Sequence, residues 1–479
     1  MVASEYAPLA KAGGLADAVA ALASALRRTG ADVRVLIPRY GFIPKTNLTQ
    51  LPGPLGIPIG VREEWVGVYR HDGSVPVYLL EHEGFYGRRG IYNENGLDYA
   101  DNARRFTLLT YGAFQLSRKL HWTPDIIHGH DWPAALTSVF LVGRERRGTF
   151  ERTASLFTIH NIGYQGIFSP EQFIHAKLPW EEFPRLELHG SMNMLKGALV
   201  SADMLTTVSE RYAEEVQDPR YSFGLHSLLE QRSTQIRGVL NGIDTDEWNP
   251  EEDRLIPAPF SADDLSGKSV AKRELQRRFG LAVNETIPLV GSVGRLAEQK
   301  GVRYLFDESG GGVDRLCRSE EMQMVLLGSG EPAYEERIRF ASMKLPNFSA
   351  FIGYDPELAH LIEAASDFFL MPSEYEPCGL NQLYSMRYGT IPIVTATGGL
   401  ADTVTDEREG ANATGFVMER PSVERIVSAV GRALEMYRTD PGRILELRRN
   451  GMSRDFSWDR SARTYLSLYE EAIRLRSLA

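Results

Sequence analysis

The chain has 479 residues, 43% hydrophobic and 24% charged, with a formal net charge of −10; this exceeds what one hydrophobic core usually serves, so two domains are expected. The acidic balance excludes nucleic acid and anionic membranes as partners, since either needs a basic face, and favours a neutral polymer. Two cysteines, Cys317 and Cys378, exclude a disulfide framework and point to a reducing compartment, and no apolar run of about 18 residues predicts a membrane span.

The first residues, Met1-Val-Ala-Ser-Glu5, enter where a strand ends: either the first strand is a stump, or further residues precede it. Leu15, Val19, Leu22 and Leu26 then recur at helical spacing up to Gly30, and Val33 to Ile37 predicts a buried strand, a βαβ opening. From Pro38 to about Asn102, Gly, Pro and alternating apolar residues (Val66 to Tyr69, Val75 to Leu80) predict an insertion with small antiparallel strands. Strands are expected at Ile126 to His128, Ser155 to His160 and Met204 to Val208, with a helix through Leu195 to Val200. Val239-Leu240 leads into Asn241-Gly-Ile-Asp-Thr-Asp-Glu-Trp-Asn-Pro250 and a Pro- and charge-rich run to Gly267, read as a connector. A second α/β unit runs from Ile287 to about Arg454, with strands ending at Val293, Gly328 and Met371. A last helix, Asp459 to Leu475, has no strand after it. The expected domains are therefore 1–250, 251–455 and a C-terminal helical piece, 456–479, in a doubly wound α/β architecture.

The richest stretch is Phe369 to Leu400. A buried strand stops at Pro372, just before Glu374 and Glu376, and Gly379 opens the helical pattern Leu380, Leu383, Tyr384. Open α/β sheets bind ligands at this carboxyl edge, and a diphosphate suits it. Arg295 and Lys300 follow the strand ending at Val293 and supply fixed positive charge; the competing reading makes them solvated loop charges. Gly13-Gly-Leu-Ala-Asp17 recurs as Gly398-Gly-Leu-Ala-Asp402, each between a strand and a helix, where paired glycines let backbone N–H groups approach a ligand. Asp244-Thr-Asp246 spells a metal-binding pair, but it follows Asn241-Gly and precedes Trp-Asn-Pro, so these aspartates are read as caps of a turn or helix, and no metal is expected. A hydride-transferring dinucleotide enzyme is disfavoured: Gly328-Ser-Gly330 is followed by Glu331-Pro332, and no Gly-x-Gly-x-x-Gly opens a helix.

The stretch from Phe369 to Leu400 closely resembles the nucleotide-sugar motif of bacterial glycogen synthases and plant starch synthases. So do Lys11-Ala-Gly-Gly-Leu-Ala-Asp17, Asp98 to Phe106, His128-Gly-His-Asp-Trp132, His160-Asn161, Asn241-Gly-Ile-Asp244, Gly294 to Gly301 and Asp455-Phe-Ser-Trp-Asp459, in an order covering nearly the whole chain. The resemblance implies a GT-B fold: two Rossmann-like domains facing across a cleft that closes, with the last helix crossing back to the first domain. It implies transfer of glucose from ADP-glucose to the non-reducing 4-hydroxyl of an α-1,4-glucan with retention, either through a covalent intermediate or by same-face attack.

By the same resemblance His160, Arg295, Lys300 and Glu376 are catalytic, and Glu376 lies against the donor glucose. Donor binding falls to Lys11, Gly13, Gly14, Asp17, Asn241, Tyr354 (stacking on the base), Cys378, Gly379, Leu380, Gly398 and Gly399. Acceptor binding falls to Asp131, Asn161, Tyr92 and Asn102. The bland alternatives are a core histidine at His160, packing at Tyr354 and a buried thiol at Cys378; an accessible Cys378 is expected. Glu374 departs from the family pattern, and its role stays open. No cofactor, nucleic acid or membrane partner is implied, and the location is cytoplasmic, or plastid stroma for a plant or algal protein whose leader has been removed. Two rival functions remain: a catalytically silent glucan-binding protein on the same fold, against which the retained charged residues argue, and a UDP-glucose-dependent transferase.

Overall fold

The structure is a computed structural model that describes residues 1–94, 96–307 and 311–478. The chain forms two compact units, the first made of Met1–Gly242 and the final helix, the second of Ile243–Ser457. The chain thus leaves the first unit earlier than the expected boundary at 250. Residue 479, the last of the expected C-terminal piece, lies outside the described residues.

In the second unit the described strands form one parallel sheet ordered Phe348–Ile352, Gln323–Gly328, Leu289–Val293, Phe368–Met371, Ile391–Thr395, Phe416–Met418. Numbered along the chain this order is 3-2-1-4-5-6, the doubly wound arrangement. Strands buried on both faces need apolar residues throughout, and Gln323–Gly328 and Phe368–Met371 are buried along their whole length. The order reverses between Leu289–Val293 and Phe368–Met371, paired in register Val290 with Phe368 and Gly291 with Phe369. Two apolar layers flank the sheet, one around Leu316, Ile338 and Leu434, the other around Leu275, Ile362 and Leu383.

The first unit repeats the plan. Val2 bridges Leu36 on one side and Gly129 on the other, so a single short segment joins Val35–Pro38 and Pro76–Glu81 to the strands Ile126–His130, Ala154–Ile159, Met204–Thr207 and Ile236–Gly238. The insertion is an antiparallel ribbon, Leu55–Ile59 with Arg62–Asp72, added beyond Pro76–Glu81. The helix Gly14–Arg28 buries Val19, Leu22 and Leu26, the face its spacing predicts. The last helix, Trp458–Leu478, packs on it: Arg28 Nη2 donates to Asp459 across 2.7 Å, and Ser461 Oγ donates to Leu240 O across 2.6 Å. The helix belongs to the first unit. No described helix is long and apolar enough to cross a membrane.

Candidate active site

In the second unit the turn after Val293 and the loop after Met371 leave neighbouring strands at the switch point, where doubly wound sheets hold ligands. The turn holds Arg295 and a short 3-10 segment, Glu298–Lys300; the loop holds Ser373, Glu374 and Glu376. Gly301 lets them meet: its φ is +71°, and a Cβ there would lie 2.0 Å from Pro372 O. Lys300 Nζ donates to Glu376 Oε2 across 2.5 Å, and Ser373 Oγ donates to the same oxygen across 3.0 Å. Glu376 is buried, while Arg295 is exposed and donates to Gln299 Oε1 across 3.0 Å. The arrangement sets one cation, Lys300, against the Glu376 carboxylate and a second, Arg295, exposed on the same turn at an open sheet edge, a charge pattern suited to a phosphate-bearing ligand with free hydroxyls.

The loop past Glu376 departs from expectation in two ways. Cys378 is buried, so the expected accessible thiol is corrected: Gly399 packs so closely that a Cβ on it would lie 2.0 Å from Cys378 O. The pair Gly398 and Gly399 also serves packing. Gly398 has φ +43° and a Cβ there would lie 1.9 Å from Glu376 O, while the N–H of Gly399 donates to that oxygen across 3.1 Å. That N–H is engaged with the loop rather than open to a ligand. Gly379 and Leu380 are half-buried just before the helix Asn381–Arg387, whose Asn381 Nδ2 donates to Val293 O across 3.1 Å and so ties the helix to the first strand. Tyr354 is 77% exposed after the outer strand Phe348–Ile352, two strands from Leu289–Val293, so its ring faces solvent rather than packing in the core.

In the first unit the switch point lies between Val2 and Ile126–His130. Glu5, just past Val2, is a residue the sequence reading missed, although an acid one step beyond a strand end was the available signal. Glu5 Oε2 accepts the backbone N–H groups of Ala12 (2.6 Å) and Gly13 (3.0 Å), and Oε1 accepts the Tyr92 hydroxyl (2.5 Å). Burial raises its pKa, opposed by those three hydrogen bonds. The turn N–H groups beside Gly14 are thus held by Glu5. Lys11 pairs with Asp17, Nζ to Oδ2 2.8 Å, at the exposed edge of the same turn. Asn102 is buried and supports Tyr92: its Nδ2 donates to Tyr92 O across 2.9 Å and its Oδ1 accepts from Arg105.

Asp131 sits in left-handed backbone, φ +54°, and its Oδ1 accepts the N–H groups of His160 (2.7 Å) and Asn161 (3.3 Å). Burial pushes its carboxyl up to about 7 against those donors. His160 is half-buried, with its imidazole pushed down to about 3 by desolvation, and its Nε2 lies 3.1 Å from His130 Nδ1. His128 lies beside His130 with the rings tilted by 34° and centroids 4.0 Å apart, and meets Tyr469 of the last helix at 2.8 Å. Burial holds His128 and His130 well below the usual imidazole range, so this group is neutral at pH 7. These three histidines thus present uncharged donors and acceptors. The Asp244 side chain caps its own turn, accepting from the N–H groups of Asp246 (3.0 Å) and Glu247 (3.1 Å), as the spelling predicts. Asn241 is buried next to the end of the first unit's first segment, Met1–Gly242.

Residues 1–231 match the family described as Starch synthase catalytic domain, and residues 274–449 match Glycosyl transferases group 1. The chain is 46% identical to a glycogen synthase of Treponema denticola over 480 residues, covering 99% of this chain and 98% of that one. It is 42% identical to a glycogen synthase of Myxococcus xanthus, with 98% of each covered. Among solved structures, the catalytic domain of starch synthase IV from Arabidopsis thaliana bound to ADP and acarbose superposes with a TM-score of 0.91 at 33% identity, covering 99% of this chain and 98% of that one. A sucrose-phosphate synthase from Thermosynechococcus elongatus shares the fold, with a TM-score of 0.61 at 18% identity and coverage of 99% and 98%.

Proposed function

Because the chain belongs to the glycogen and starch synthase family of GT-B glycosyltransferases, we propose that it moves glucose from ADP-glucose to the non-reducing 4-hydroxyl of an α-1,4-glucan with retention of configuration. The observation that carries this reading is the Lys300–Glu376 pair at the switch point of the second unit. A diphosphate competing for the Lys300 ammonium frees the Glu376 carboxylate to accept sugar hydroxyls, while Arg295 and Lys300 offset the negative charge that grows on the leaving diphosphate. Fixed cations perform the task that a divalent metal performs elsewhere, so no metal or other cofactor is invoked.

Neutral His160 lies beside the transferred glucose, and Asp131, Asn161, Tyr92 and Asn102 serve the acceptor side, Asn102 through Tyr92. Lys11, Asp17 and Asn241 serve the donor side, with Gly13 and Gly14 in a turn that Glu5 holds and Gly398 and Gly399 shaping the Glu376 loop by close packing, and the exposed ring of Tyr354 offers a face for the base. ADP-glucose rather than UDP-glucose is supported by the ADP held in the starch synthase IV structure. A cytoplasmic location is supported by the chain's having only two cysteines in 479 residues.

The test is incorporation of labelled glucose into glycogen from ADP-glucose and UDP-glucose at matched concentrations. Incorporation chiefly from the adenine donor is expected. Incorporation chiefly from UDP-glucose would overturn the donor assignment, and none from either would return the silent glucan-binding protein.

A further inference from the structure

Glu374 adds a negative charge two residues before Glu376 in the same loop, in a site read as binding a diphosphate. Its carboxylate is held elsewhere: Oε1 accepts both from the Arg303 guanidinium and from the Tyr304 hydroxyl. Arg303 and Tyr304 belong to Val302–Leu305, the single helical turn directly after Gly301, and Arg303 also pairs with Glu298 at 2.7 Å. Two further links join the same segments: the Glu374 N–H donates to Gln299 O across 2.9 Å, and Gln299 Nε2 donates to Tyr375 O across 3.3 Å. The Gln299 side chain also accepts from Arg295. Segments about 70 residues apart in sequence are thus clasped at several points on either side of Lys300 and Glu376.

We propose that Glu374 is a positioning residue: through Arg303 and Tyr304 it clamps the turn bearing Arg295 and Lys300 to the loop bearing Glu376, fixing the spacing of the two cations and the acid. Arg303 neutralises the carboxylate, so the added charge is not presented to an anionic ligand. A half-exposed ion pair contributes little to overall stability, but catalytic groups misplaced by as little as ~1 Å lose large rate factors, so the clamp acts on turnover. The inference rests on the proposed donor site and deepens it.

The experiment measures kcat, and KM for ADP-glucose and for glycogen, in Glu374→Ala, Arg303→Ala/Tyr304→Phe and the triple variant, with melting temperatures as a check. Glu374→Ala is expected to lower kcat about five- to twentyfold with the glycogen KM unchanged, and the triple variant to be no slower than Arg303→Ala/Tyr304→Phe, because one clamp is removed by either route. Glu374→Gln, which still accepts both hydrogen bonds, is expected to remain within about threefold of the parent. Glu374→Lys, which repels Arg303, is expected to be the slowest single variant, and these two decide the matter if the alanine variant fails to fold. Full multiplication of the effects in the triple variant, or Gln and Lys variants with equal rates, overturns the clamp. Lys300→Ala measured alongside separates the two readings: activity retained there removes the donor-site assignment itself, whereas its loss together with a flat Glu374 series removes the clamp alone.

Discussion

Lys300 and Glu376, 76 residues apart in sequence, share a hydrogen bond of 2.5 Å between the ammonium and Oε2. Parallel strands leave the sheet edge side by side there, so residues from distant turns meet at the one place where an α/β sheet exposes strand ends to a ligand.

Lys300→Ala and Arg295→Ala are each expected to lower kcat by about 10² to 10³, the usual cost of removing one group that stabilises developing charge. Steady-state rates with ADP-glucose and glycogen check this, with circular dichroism to confirm folding. Near-normal turnover in both would contradict the assignment of the second unit's site.

Activity is expected to persist after dialysis against EDTA. The proposed site supplies its positive charge from the Arg295 and Lys300 side chains, and Asp244 is engaged in capping its own turn. A requirement for added magnesium or manganese would reopen the role of Asp244 and Asp246.

Alkylation of the folded protein at pH 8 is expected to be slow at both thiols. Cys378 is buried under the Gly399 turn, and burial pushes the Cys317 thiol up to about 12, leaving little thiolate. Mass spectrometry after timed iodoacetamide treatment, with and without denaturant, reads this directly. Rapid labelling of Cys378 in native buffer would show the loop opening more readily than its packing implies.

Asp367→Ala is expected to destabilise the second unit by about 3–5 kcal/mol, the range for breaking a buried ion pair from one side. Asp367 is buried between Lys272 Nζ at 2.6 Å and Arg448 Nη2 at 2.7 Å, and it also accepts the Leu289 N–H at 2.9 Å. Removing it leaves two cations facing each other without their shared anion. Urea unfolding midpoints measure the loss; a change under about 1 kcal/mol would show that water or the backbone replaces the carboxylate.

The first unit's histidines give a signed pH dependence. His128, His130 and His160 all have folded pKa values below the unfolded 6.5, so as pH falls below 6.5 the unfolded chain takes up protons that the folded chain refuses, and stability drops. Glu5 and Asp131, with raised values, act in the opposite direction over the acidic range. The informative quantity is therefore the difference between His130→Gln and the parent. The variant is expected to gain up to about 1.4 kcal/mol on the parent per pH unit between 6.5 and 4.5. Thermal or urea melts across that range check it, and a pH-independent difference would mean that His130 ionises freely in the folded protein.

The sequence by itself determined the elements and the two-unit plan. Phe368 to Met371 read as a buried strand stopped by Pro372, and Val19, Leu22 and Leu26 marked the buried face of the first helix, because burial imposes one periodicity on strands and another on helices. The placement of Arg295, Lys300 and Glu376 after strand ends was equally legible, since turns and strands are local. Four things were decided by tertiary structure. Glu5 caps the Gly13 turn, His130 touches His160, Cys378 is buried under Gly399, and Glu374 turns away to Arg303 and Tyr304. Each depends on which strand lies next to which and on how closely two backbones approach. No local spacing encodes that, because contacts between residues distant in sequence exist only once the sheet order has brought their strand ends together.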